Sequence, residues 1–338
     1  MFAWKATRTG VQLPSPPAFA RSAAKSEGFH AVAKRRRAMF IQGLISAPRD
    51  YGLAGQPPEW HHKQMRRNFS SRARHLSGGD AVVISIPKSG RTWLRTFLCA
   101  YFCKRYDREF TLEPDRYVDL PIPRVIYSHD LFEHQTKGNL WDWVRGKYLV
   151  PAGELKRMKI VLLARDPRDC FVSLYLQMTR RDPGTRERLK QKTISDVLRD
   201  EKFGIRTMIR TMNEWMNEFS GRNNFWLLRY ESLRADPATK FAALLARLGE
   251  ATPEMSLFQE ALEFSEFENM QKMEAAGAFD SKILRAGDVR DPESFKVRRG
   301  KIGGYQEYLS VEDRQYAVEM MGELDPRFGY SEGHGVCG

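Results

Sequence analysis

The apolar run Ala81-Val82-Val83-Ile84 leads directly into Ser85-Ile86-Pro87-Lys88-Ser89-Gly90-Arg91-Thr92-Trp93-Leu94, and this junction constrains the fold more than any other stretch. It reads as the end of a strand, a phosphate-cradling turn and the start of a helix. Beyond the turn, Trp93, Leu94, Phe97, Leu98, Tyr101 and Phe102 recur at spacings of one, three and four, which is one buried face at the helical period. Strands are predicted over Ala81–Ile86, Arg124–Ser128, Lys159–Ala164 and Asn224–Leu228, with helical patterns between and after them. Two of those helices show their core faces plainly: Ile205, Met208, Ile209, Met212, Trp215, Met216 and Phe219 in one, and Phe241, Leu244, Leu245 and Leu248 in the other. This alternation predicts an α/β architecture of three layers, a central, mainly parallel sheet flanked by helices. No internal repeat is visible.

The turn itself offers successive backbone N–H groups at a helix N-terminus, the positive end of the helix dipole and a nearby ammonium, and such a site takes an anion. Lys88 supplies a compact point charge, Gly90 lets backbone approach closely, and Ser89 and Thr92 add hydroxyl donors. A nucleotide triphosphatase loop would place Gly-Lys before Ser or Thr after a longer glycine loop. Here Lys88 precedes the Ser-Gly pair.

Composition widens the partner question before motifs narrow it. The 338 residues, 42% hydrophobic, suffice for a substantial core, and a net charge of +13 suits an anionic ligand, a polyanionic acceptor, nucleic acid or an acidic membrane surface. Residues 1–75, with basic residues far in excess of acids up to Arg49 and the run Lys34-Arg35-Arg36-Arg37, read as a poorly ordered basic extension. A transit peptide or nuclear signal shares that composition. The folded domain is expected over residues 76–330, with a tail over residues 331–338. Cys99, Cys103, Cys170 and Cys337 lack the spacing of a disulfide scaffold or zinc site, so reduced thiols in a cytoplasmic protein are expected. No apolar run reaches the length of a membrane span, which leaves peripheral contact with a membrane as the compatible mode. With no aromatic RNA-binding signature and no helix-turn-helix pattern, no nucleic-acid partner is expected.

A second strand-to-helix junction, Ile160-Val-Leu-Leu-Ala-Arg-Asp-Pro-Arg-Asp-Cys-Phe-Val-Ser-Leu174, places Asp166 to cap the helix and Pro167 at its first position. Arg165 then lies at the strand's carboxyl end and Ser173 about two turns into the helix, near the crevice where open α/β sheets bind ligands. The pattern Pro-Lys-Ser-Gly-x-Thr-Trp-Leu at Pro87–Leu94 resembles the 5′-phosphosulfate loop of the sulfotransferases that use 3′-phosphoadenosine 5′-phosphosulfate (PAPS). Arg165 and Ser173, seven residues intervening, resemble that family's 3′-phosphate motif. Leu228–Pro237 is similar to its Tyr-Glu-x-Leu turn after a central strand, with Tyr230 at the nucleotide-contact position. Ser265-Glu-Phe-Glu-Asn-Met270 resembles the segment that packs on the adenine, where Ser265, Phe267 and Met270 correspond. Val297-Arg-Arg-Gly-Lys-Ile-Gly-Gly-Tyr305 resembles the C-terminal Arg-Lys-Gly-x-x-Gly-Asp-Trp motif that binds the 3′-phosphate and closes over the nucleotide. Arg299 replaces its lysine, and Gly304-Tyr305 replaces Asp-Trp.

These matches run in order from about Ala81 to Leu309 and imply the three-layer P-loop-like fold, with PAPS as donor and an acceptor hydroxyl or amine as nucleophile. In-line transfer needs positioning and charge stabilisation, together with a base for the acceptor proton. His129, in Arg124-Val-Ile-Tyr-Ser-His-Asp130, matches the family's Lys-Thr-His segment, whose histidine is that base; the lysine is Tyr127 here. By this resemblance His129 takes the proton while Lys88 neutralises charge on the departing 5′-phosphate. Backbone from Ser89 through Gly90 and Arg91 to Thr92 cradles that phosphate, Trp93 lies near the adenine, and Arg165, Ser173, Arg298, Arg299 and Gly300 recognise the 3′-phosphate. No metal is implied. The acceptor pocket falls around Tyr106–Asp119, Glu133–Val150 and Ala275–Asp291. Arg91 and the His129-Asp130 pair look more like bacterial carbohydrate-type members than animal phenol ones, which points to a carbohydrate or glycolipid, with a small alcohol or phenol as the alternative. The rival classes are a Mg²⁺-dependent nucleotide kinase and a basic polyanion-binding protein.

Overall fold

The computed structural model describes residues 75–113, 119–137, 147–278, 283–284 and 286–330. The expected basic extension, apart from His75, and the tail over residues 331–338 lie outside the described residues, as does Cys337. Parts of all three expected acceptor segments also lie outside them.

Four strands appear where the apolar runs place them: β1 (Ala81–Ile84), β2 (Val125–Ser128), β3 (Lys159–Ala164) and β4 (Phe225–Arg229). The helices in chain order are α1 (Arg91–Arg105), α2 (Asp130–Lys137), α3 (Ala152–Arg157), α4 (Pro167–Arg180), α5 (Pro183–Arg188), α6 (Ile194–Leu198), α7 (Ile205–Phe219), α8 (Tyr230–Ala235), α9 (Pro237–Leu248), α10 (Met255–Phe264), α11 (Phe267–Ala275) and α12 (Val311–Met321). All strand pairs are parallel, in the order β2-β1-β3-β4. Both central strands are buried on both faces, and this explains their continuous rather than alternating apolar runs.

Successive side chains of a strand point to opposite faces, and the core divides accordingly. Val82, Ile84, Ile160, Leu162 and Ala164 face a cluster built with α4, α7 and α12. Ala81, Val83, Val161 and Leu163 face a second cluster built with α1, α9 and α10. Helices therefore cover both sides of the sheet, giving the three-layer α/β fold. The apolar faces of α1, α7 and α9 are core as their periodicity requires, with Trp215, Phe97 and Phe241 fully enclosed. Phe97 stacks on Phe241 at 3.9 Å between ring centroids and meets Phe258 edge-on at 5.6 Å, tying α1, α9 and α10 together. Phe97→Ala is expected to cost about 3–5 kcal/mol, read as a lower urea midpoint with an unchanged slope.

Topology decides where a ligand can go. From β1 the chain passes to β2 on one side and then to β3 on the other, so the switch point lies at the carboxyl ends of β1 and β3. Lys88 follows β1, His129 follows β2, Arg165 follows β3 and Tyr230 follows β4. One expectation is corrected here. The strand before Tyr230 lies at the sheet edge among the described strands rather than at its centre, and Tyr230 opens α8 rather than a turn.

Candidate functional site

At the switch point a cavity of about 250 Å³ is lined by residues from all four strand ends and from the C-terminal segment. Its loop wall is the Pro87–Thr92 turn. Lys88 there has φ 72° and Gly90 has φ 100°, so the backbone reverses into the left-handed region twice within three residues. For a residue with a Cβ that conformation costs roughly 1–2 kcal/mol, while the concave array of N–H groups it produces suits an anion. Gly90 also has to be glycine for want of space, because a Cβ there would lie 2.7 Å from the Tyr230 ring. No side chain caps the first turn of α1, so its N–H groups remain directed at the cavity end.

Lys88 lies at the cavity wall, its Nζ donating to Gln177 Oε1 at 3.2 Å. Burial, followed by the nearby cations Lys296, Arg181 and Arg165 and opposed by Glu274, pulls its ammonium down to about 7. Lys296 lines the same cavity and is pulled down to about 7 by burial and then by Arg181, Arg91 and Arg95. Crowded cations of this kind are the signature of a site made for an anion.

His129 enters from β2. Its Nδ1 lies 2.8 Å from the Ser85 carbonyl, which can only accept, so Nδ1 carries the proton and Nε2 presents its lone pair. The Arg91 guanidinium donates to that Nε2. That nitrogen is the ring's acceptor position, and His129 lines the cavity. Tyr127, two residues earlier, supplies no cation: burial pushes its phenol well above the ordinary range, and Arg95 stacks over its ring at 4.1 Å.

The opposite end is built on α4. Asp166 caps this helix by accepting from the Arg168 N–H at 2.9 Å, and Pro167 takes the first position, as expected. Arg165 spends Nη1 on the Lys88 carbonyl at 3.1 Å and Nη2 on the Lys301 carbonyl at 3.0 Å, and it stacks on Tyr230 at 4.4 Å. It therefore bridges the phosphate turn to the C-terminal segment. Ser173 is half-buried and faces the cavity. The segment carrying Arg298 and Arg299 is a charge network: Arg298 pairs with Glu293 at 3.0 Å and Tyr308 at 2.6 Å, and Arg299 with Glu293 at 2.8 Å and Glu307 at 2.7 Å. Gly300, at φ 60°, lets this segment pass over Phe267, since a Cβ there would lie 2.9 Å from that ring.

Of the residues singled out in the sequence, Lys88, Gly90, Arg91, Thr92, Trp93, His129, Arg165, Ser173, Tyr230, Phe267, Met270, Arg298, Arg299 and Gly300 all line this one cavity. Two hydroxyls depart from expectation. Ser89 is buried and donates to the Ile86 carbonyl at 3.0 Å, so its side chain closes the turn instead of facing a ligand. Ser265, fully buried, donates to the Leu262 carbonyl at 3.1 Å at the end of α10 and does not line the cavity.

Sequence reasoning missed Asp169, Gln177 and Lys296. Asp169 is buried, accepts from the N–H groups of Gly303 at 2.9 Å and Tyr305 at 3.0 Å, and lies 3.7 Å from Arg165. Burial raises its carboxyl despite the opposing effect of Arg165. Tyr305, beneath Arg168 at 4.6 Å, packs where the resemblance would place a tryptophan. Asp169 lies four residues after Arg165 and Gln177 four after Ser173, a signal that helical spacing carries. For Lys296 no local signal exists.

A model of the sulfotransferase domain matches residues 79–325. Cytosolic sulfotransferase 14 of Arabidopsis thaliana is 24% identical over 259 residues, covering 68% of this chain and 70% of that protein. Sulfotransferase 2B1 of Rattus norvegicus is 25% identical over 283 residues, covering 75% of each. Among solved structures, retinol dehydratase in a complex with retinol and PAP superimposes with a TM-score of 0.51 at 18% identity, covering 76% of this chain and 85% of that one, a likeness of fold.

Proposed function

The chain belongs to the sulfotransferase domain family, and we propose that it moves the sulfuryl group of PAPS to an acceptor hydroxyl by in-line attack with His129 as base. The observation that carries this is the pairing of an imidazole, its proton held on Nδ1 by the Ser85 carbonyl, with the Lys88 ammonium on one cavity wall. The acceptor O–H gives its proton to His129 Nε2 as its oxygen bonds to sulfur. The bond from sulfur to the bridging oxygen breaks, and Lys88 donates to that oxygen as charge collects there. Arg91 yields its place on Nε2 to the acceptor hydroxyl, which leaves a guanidinium beside the reacting group. Backbone N–H groups of the Ser89–Thr92 turn hold the 5′-phosphate, while Ser173 and the Arg298–Gly300 segment take the 3′-phosphate. Trp93, Phe267 and Met270 form the apolar wall for the adenine. The donor leaves as adenosine 3′,5′-bisphosphate (PAP), and the sulfuryl group leaves on the acceptor oxygen as its sulfate ester.

For the acceptor, Arg91 and His129 side by side on the cavity wall suit a carbohydrate or glycolipid hydroxyl, whereas Asp130 is fully buried and accepts from the Leu149 and Val150 N–H groups. A small alcohol or phenol is the second reading. A transfer screen with ³⁵S-labelled PAPS over sugars, glycolipids, alcohols and phenols tests both. Label transferred to any of them supports the reaction, and none transferred to any class overturns it. The relatives' cytosolic designation and cysteines buried as free thiols support a cytoplasmic setting.

Anion binding should be linked to protons. Lys88 is charged below about pH 7 in the empty site and loses its proton above it, whereas a bound 5′-phosphate favours the charged form. Titration of PAP at pH 8 in buffers of different ionisation heat is expected to show uptake of up to about one proton per ligand, with affinity falling as pH rises from 7 to 9. Binding without proton uptake would contradict the crowded-cation description.

A further inference from the structure

The cations around the cavity fall into two sets. On the side of the C-terminal segment they are matched by carboxylates: Arg165 by Asp169, Arg298 and Arg299 by Glu293, and Lys301 by Glu307. On the His129 side, among the described residues, the hydrogen-bond partners are neutral. Lys88 donates to the Gln177 amide oxygen, Arg91 to the His129 imidazole, and Lys296 to the Ile283 carbonyl at 2.7 Å. Two carboxylates act on these cations electrostatically, Glu133 on Arg91 and Glu274 on Lys88 and Lys296. Glu274 is buried, and its two oxygens accept the backbone N–H groups of Lys296 at 2.6 Å and Val297 at 2.8 Å. Glu274 therefore fixes the backbone at Lys296, whose side chain lines the cavity.

Concentrating Lys88, Arg91 and Lys296 with neutral partners is unfavourable until an anion bridges them. Given the donor assigned above, on which this step rests, the anion that reaches both Lys88 and the His129 side is the transferring group. We propose that Lys296 is a second cation of the reacting centre, donating to the sulfuryl oxygens of PAPS while Lys88 serves the bridging oxygen. Tyr127 on β2 brings no cation of its own, being a phenol covered by Arg95. Because residue 296 directly precedes Val297-Arg298, docking of the 3′-phosphate segment and placement of this ammonium occur together.

PAP lacks the sulfuryl group, so comparing it with PAPS isolates the contact without an acceptor. Calorimetric titrations of wild type, Lys296→Ala and Lys296→Arg with both ligands, alongside melting curves, form the test. Lys296→Ala is expected to keep PAP affinity within about twofold and to weaken PAPS by about tenfold, with most of that restored in Lys296→Arg. Equal weakening of both ligands, or no change in either, overturns the assignment while PAP binding by the wild type upholds the donor. Failure of the wild type to bind PAP would overturn the donor and this contact together.

Discussion

His129→Ala is expected to lower transfer by about 10³-fold or more at saturating PAPS and acceptor, while PAP affinity stays within about threefold of wild type. The separation follows from where the imidazole stands. Its Nδ1 is anchored to the Ser85 carbonyl and its Nε2 faces the cavity, and its place is on the strand end next to the phosphate turn rather than within it. Removing it takes away the proton acceptor and leaves the turn, Arg165 and the Arg298–Gly300 segment intact. Retention of PAP binding shows that the variant is folded and the donor seated. Turnover within a fewfold of wild type would remove His129 from the chemistry.

Lys88→Ala is expected to harm both stages, weakening PAP by roughly tenfold and lowering transfer by a further 10²-fold or so, because its ammonium meets charge that exists in the bound donor and charge that grows as the leaving group departs. The backbone at this position sits at φ 72°, a strain that alanine shares, so the substitution tests the ammonium rather than the turn. Lys88→Arg should rescue little. A planar fork cannot replace a compact ammonium within hydrogen-bonding reach of Gln177. Together the two variants separate proton transfer from charge stabilisation, since one spares binding and the other does not.

Much of the fold is legible in the chain because its signals are local and redundant. The four strands are short apolar runs, and α7 and α9 carry apolar faces at the period of a helix whose other side meets water, while α1 is enclosed on all sides from Thr96 to Cys103. The site is legible wherever a strand end hands its next residue to the cavity, as with Lys88, His129, Arg165 and Tyr230. What local reading misses follows a different pattern. Ser89 and Ser265 match a motif by position, yet each hydroxyl finds a carbonyl three residues back, and local backbone geometry decides the matter before any ligand is present. Arg298 and Arg299 look like unpaired phosphate ligands until the fold brings Glu293, Glu307 and Tyr308 to them. Lys296 stands outside any regular element, and it is placed by Glu274, from a helix ending some twenty residues earlier in the chain, and by the Ile283 carbonyl. The edge position of β4 is likewise invisible locally, because strand order is set by how helices pack across the whole sheet.

Calorimetric titration of PAP beside 5′-AMP and Mg²⁺-ATP probes the two phosphate ends of the cavity. PAP is expected to bind in the micromolar range without metal, with 5′-AMP weaker by about two orders of magnitude for want of the 3′-phosphate contacts and Mg²⁺-ATP no tighter than 5′-AMP. Equal affinity for PAP and 5′-AMP, or tighter binding of Mg²⁺-ATP than of PAP, would contradict a cavity with two phosphate ends.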